Sequence, residues 1–155
     1  MEIGLWHCCD EVQKVGLVNQ VLLIGDAPAN SEADVKHKRS GGYFGRLKSH
    51  SGQDYWAQDP RFCTPTTAAE QLTRLAQFNV PVHAYWVSQK DGRERPFFEN
   101  VAAITGGQSG FLDVNSDDGK TELTNLLSKT VLAQLDPSGG LVKAYNQKYG
   151  GVVHT

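Results

Sequence analysis

Val21-Leu22-Leu23-Ile24-Gly25-Asp26-Ala27-Pro28 is the stretch that decides the fold. Its first four residues are valine, leucine or isoleucine with no polar alternation, the pattern of a strand covered on both faces. Gly25-Asp26 ends the run, and Pro28 brings no N–H to continue a ladder. The Asp26 carboxylate is therefore expected at the carboxyl end of a buried strand, the edge at which open α/β sheets bind ligands.

Upstream of this strand, Leu5, Cys9 and Val12 share one helical face across residues 2–15, and Gly16 supplies a stop. Downstream, Thr67 and Glu70 have the spacing of a capping box at the head of a helix over 67–78. A second strand is expected over 81–87, with Val82, Ala84 and Trp86 on one face and His83, Tyr85 and Val87 on the other. A helix over 97–104, a Gly106-Gly107 stop, a short strand over 110–114 and a long amphipathic helix over 121–135 follow. Pro137 and Gly139-Gly140 then set off a closing helix or tail over 141–149. This alternation predicts an α/β protein of Rossmann-like three-layer αβα type. Residues 1–155 form one domain, and the sheet is parallel with its strands in chain order.

Residues 27–65 interrupt the pattern as a long loop insertion with a short helix over 33–39. Tyr55, Trp56 and Phe62 are expected to tuck its end against the body, and Lys36-His37-Lys38-Arg39 reads as a solvated loop in preference to a phosphate or acidic-partner contact. A net charge of −2 and a pI near 6.2 give no pull toward nucleic acid or an acidic membrane surface. No apolar run nears the ~20 residues that span a bilayer. Three cysteines, no Asn-x-Ser/Thr acceptor and no basic-then-apolar leader point to a reduced, cytoplasmic protein.

The string Val21-Leu22-Leu23-Ile24-Gly25-Asp26-Ala27-Pro28-Ala29 resembles the fourth strand of von Willebrand factor A-like (VWA) domains, which ends in a metal-site aspartate. Asn79-Val80-Pro81-Val82-His83-Ala84-Tyr85 is similar to that family's fifth unit, and Phe98 through Thr105-Gly106-Gly107 to its sixth. The match covers roughly residues 1–135, the C-terminal two-thirds of such a domain. The family's Asp-x-Ser-x-Ser strand, which supplies most of the metal coordination, has no counterpart in the chain. The resemblance thus implies a partial VWA-type fold that is N-terminally truncated or completed by another polypeptide.

It also implies a non-enzymatic protein–protein interaction or adhesion-type module with an incomplete metal-ion-dependent site at Asp26. Asn30, Ser31 and Ser88 would be the local oxygens available to that site, and Mg²⁺ would bind only if the missing strands were supplied. With the family's central strand absent, Val21–Ile24 is expected to present an apolar, unpaired edge. That edge would pair with a protein partner or with another copy of the chain.

The rival class is a small α/β hydrolase-like enzyme that uses the strand-end carboxylate Asp26 with His83 or His50. No nucleophile elbow or base pairing supports it. Cys8-Cys9 read as buried structural thiols, and the cysteines and histidines lack zinc-ligand spacing. Gly106-Gly107 precedes a strand rather than a helix, which excludes a phosphate loop. Asp113, Asn115 and Asp117 imitate the start of a calcium loop. Asp118 and Thr124, however, occupy the positions where glycine and glutamate are required, so the segment is expected to be an exposed turn capping the next helix.

Overall fold

The computed structural model describes residues 1–39, 57–88 and 92–149. Its elements run α1 (Glu2–Val15), β1 (Val21–Gly25), α2 (Glu32–Arg39), α3 (Ala68–Gln77), β2 (Val82–Trp86), α4 (Glu94–Thr105), β3 (Ser109–Phe111), α5 (Gly119–Leu135) and α6 (Gly140–Tyr149). The chain divides into two compact units, Met1–Phe111 and Leu112–Thr155.

In the first unit the strands form a parallel sheet in the order β1-β2-β3, flanked by helices as in Rossmann-like α/β folds. The register pairs Val21 with Val82 and Gly25 with Trp86, then Trp86 with Phe111. The period-two pattern of β2 is realised: Val82, Ala84 and Trp86 are buried in a core with Leu5 and Cys9 of α1, Leu72 and Leu75 of α3, and Phe98 and Val101 of α4. Each fully buried aliphatic or phenyl side chain here contributes about 1.5–3 kcal/mol. Polar bonds fix how α1 and α3 meet: the Cys9 thiol donates to the Gln71 carbonyl at 3.4 Å, and Arg74 donates to Gln13 Oε1 at 3.0 Å.

The ends of these elements follow from single residues. Thr67 caps α3, its hydroxyl accepting the Glu70 N–H at 3.2 Å. The same helix closes in a Schellman motif with Asn79 left-handed (φ 56°); Asn79 N–H reaches Ala76 O and Val80 N–H reaches Leu75 O. The Thr105-Gly106-Gly107 unit is a junction at the amino end of β2. Thr105 Oγ1 accepts the Val82 N–H and donates to Val101 O, both at 2.9 Å. Gly106 takes the left-handed C-cap (φ 73°). Gly107 lies so close to β2 that a Cβ there would be 2.1 Å from Val82 O.

Two boundaries differ by three residues from the sequence expectation. Helix α4 begins at Glu94 rather than 97, because Pro96 sits in the first turn, where N–H groups have no intrahelical acceptor to lose. Strand β3 stops at Phe111 rather than 114, because Asp113 turns the chain by accepting the Asn115 N–H at 3.1 Å. Helix α2 lies within the expected 27–65 insertion, and Phe62 near its end is buried edge-on against Trp6. Residues 40–56, including His50, Tyr55 and Trp56, lie outside the described residues.

In the second unit α5 packs on α6, and Tyr145 Oη donates to Asn125 Oδ1 at 2.9 Å. The Asp136 carboxylate accepts the Ser138 and Leu141 N–H groups at the head of α6. Gly119, the first residue of α5, is buried where a Cβ would be 2.5 Å from Asp113 O. The turn before α5 is exposed, as the sequence indicates, yet Asp118 makes no side-chain cap. Among the described residues, no helix is long and apolar enough to cross a membrane.

Candidate functional site

The register brings Gly25, Trp86 and Phe111 level at the carboxyl edge of the sheet. Asp26 leaves β1 there and is exposed, while Ser88, two residues past Trp86, is half-buried. The Val87 N–H donates to Gly25 O at 3.0 Å and holds these two exits together. Sequence and structure therefore agree on where the Asp26 and Ser88 side chains originate.

Asn30 and Ser31 are committed elsewhere. The Asn30 N–H donates to Glu2 Oε1 at 2.6 Å, and its Oδ1 accepts from Lys38 Nζ. The Ser31 hydroxyl donates to Asp34 Oδ2 at 2.6 Å and accepts the Asp34 N–H, so it starts α2. Among the described residues no three His, Cys, Asp or Glu side chains converge. Among the described residues the donor set around Asp26 thus offers a divalent cation no cluster of protein ligands, and a hard ion held by one carboxylate and water gains little.

Asp26 and His83 do not meet. His83 pairs with Leu22, four residues before Asp26, which places it roughly 13 Å down the sheet at about 3.3 Å per residue. Its Nδ1 accepts the Gln108 N–H at 3.3 Å, and burial pushes its pKa down. Burial likewise raises the thiol pKa of Cys8 and of Cys9, which disfavours the reactive thiolate.

A cleft of about 320 Å³ opens beside Ser88, lined by Trp86, Ser88, Gly92, Glu94, Arg95 and Phe111. Glu94 is only 3% exposed, and its Oε2 has no hydrogen-bond partner among the described residues. The Trp86 and Phe111 rings stand 6.4 Å apart, tilted by 44°. Arg95 is held by Glu99 at 2.8 Å. Ser88 stands just past the end of β2, as the sequence indicates, whereas no sequence signal singled out Glu94. It lies among polar residues just before Pro96, and only the earlier start of α4 turns it inward.

The outer edge of β1 is the other feature of note. Val21 N–H donates to Pro81 O and Gly25 O accepts from Val87, so the odd residues of β1 face β2. In a parallel ladder Leu22 and Ile24 then direct their N–H and C=O groups away from it. Among the described residues no strand pairs with that side, and Ile24 is 39% exposed. Searches against protein-family models, curated proteins and solved structures give no match for the chain.

Proposed function

We propose that this chain is a non-catalytic protein-interaction module that joins its partner by strand addition along the outer edge of β1. The observation that carries the reading is the outward row of backbone groups at Leu22 and Ile24, which no strand among the described residues pairs, beside an exposed isoleucine. Folded proteins rarely leave such a row bare; they charge it, shorten it or cover it. Here the edge strand carries no lysine, proline or charged residue between Val21 and Gly25. Main-chain hydrogen bonds would give affinity, and alternate side chains selectivity.

The resemblance to VWA domains supports the same reading, because the central strand of that family would lie along this edge. In that light Asp26 is the remnant of a metal site that the described residues do not complete. The separation of Asp26 from His83 counts against a hydrolase built on that pair. Three free cysteines suit a reducing, cytoplasmic setting.

Sedimentation velocity over a hundredfold range of protein concentration tests the reading, with the partner taken first as a second copy. The wild-type chain should associate, and Ile24→Lys, which places a charge on the edge without touching the β2 ladder, should remain monomeric. A chain that stays monomeric throughout, and recovers no strand-donating protein by cross-linking at Ile24, would defeat the proposal.

A further inference from the structure

The Glu94 carboxylate poses a question the interaction edge does not answer. A buried acceptor with no donor loses the hydrogen bonds it had in water, and a buried carboxylate without a partner is costlier still. Most buried polar groups in folded proteins are satisfied, so this one calls for a specific cause. Its place in the cleft supplies one: the floor is a carboxylate, and two walls are aromatic.

We propose that the cleft at the carboxyl ends of β2 and β3 binds a primary alkylammonium group, with Glu94 accepting its N–H and Trp86 and Phe111 walling its charge. A carboxylate floor selects a cation, and aromatic faces favour one through their quadrupoles. The kind of cation follows from what the described lining residues offer. A hard metal ion wants about six oxygens, and among the described residues the lining offers one carboxylate and the Ser88 hydroxyl. A quaternary ammonium has no N–H for the unpartnered oxygen. A guanidinium fork is matched by two accessible oxygens in one plane, whereas Oε2 here is itself buried. A primary ammonium needs a single strong acceptor and leaves its alkyl stem against Trp86 and Phe111. Arg95, the cation among the described lining residues, is paired with Glu99.

The group can arrive as a free alkylamine or as a lysine side chain, and the chemistry of recognition is the same. The test uses the full chain with ¹⁵N-labelled tryptophan, following the indole N–H resonance of Trp86, assigned by Trp86→Phe. Titration with n-butylammonium chloride should shift that resonance saturably, while 1-butanol and an equal concentration of potassium chloride should not. N-acetyl-lysine methylamide serves as the second arm. Binding equal to that of butylammonium identifies a cleft open to polypeptide lysines, and binding of butylammonium alone identifies a small-amine site. Glu94→Gln, isosteric and uncharged, should weaken binding about tenfold or more while the spectrum stays dispersed. Saturation by 1-butanol as readily as by butylammonium would overturn the proposal. So would unchanged affinity in a folded Glu94→Gln chain, or no saturable shift with either amine.

Discussion

Gly107 meets Val82 backbone to backbone: any Cβ at 107 would lie 2.1 Å from the Val82 carbonyl oxygen and 2.5 Å from its carbon. Because the obstacle is main chain in the central strand, it cannot swing aside. Gly107→Ala should therefore destabilise the chain by about 3 kcal/mol, at the upper end of overpacking effects. Gly4 offers the contrast. It is exposed within α1, and a methyl group placed there would meet nothing within 4 Å, so Gly4→Ala should stabilise by about 0.5–1 kcal/mol. Urea midpoints of the two variants should move in opposite directions.

Thr105 joins β2 to α4 through one hydroxyl. Thr105→Val keeps the shape but leaves the Val82 N–H buried without an acceptor, and should lose about 1–3 kcal/mol. Thr105→Ser retains the oxygen and should lose far less. Equal losses in thermal unfolding would mean that the methyl packing, not the hydroxyl, matters.

Glu2 is buried, which by itself pushes its carboxyl pKa up. Its own backbone N–H, the terminal ammonium and the Asn30 N–H outweigh burial, and the net position is below the usual carboxylate value. A depressed folded pKa gives stability that is present above the unfolded value and lost as pH falls through the folded one. Glu2→Gln should accordingly destabilise at pH 7, and the gap to wild type should shrink below about pH 4. A gap independent of pH from 3 to 7 would refute that assignment.

Thiol labelling separates the three cysteines by environment. Cys63 is exposed, Cys8 is half-buried and Cys9 is buried with its S–H on Gln71. An aromatic disulfide reagent at pH 7.5 should label Cys63 first, Cys8 slowly and Cys9 only on unfolding. Fast labelling of Cys9 in the folded chain would show that the α1–α3 contact opens readily.

The legible parts of this sequence were those where one local signal sufficed. The apolar run Val21–Ile24, the alternation Val82-Ala84-Trp86 and the Thr67–Glu70 spacing each give an element without reference to the rest. Boundaries set by longer-range facts were not legible. Pro96 reads as a helix breaker unless one knows it falls in a first turn, and Asp113 ends β3 through a turn that composition alone does not announce. The site was partly legible for the same reason. Asp26 and Ser88 follow from strand ends, whereas Asn30 and Ser31 spend their polar groups on Glu2, Lys38 and Asp34, contacts that depend on how α1 and α2 meet the loop.

Amide hydrogen exchange along β1 tests the interaction edge most directly, because one strand carries both the signal and its control. The Val21, Leu23 and Gly25 amides face β2 and should be protected at every protein concentration. Leu22 and Ile24 face outward, and their amides should exchange quickly in dilute solution and become protected by tenfold or more as the chain associates. Ile24→Lys should abolish that gain while leaving the odd-numbered amides protected. Fast exchange at Leu22 and Ile24 at all concentrations, in a chain that nevertheless associates, would contradict strand addition at this edge.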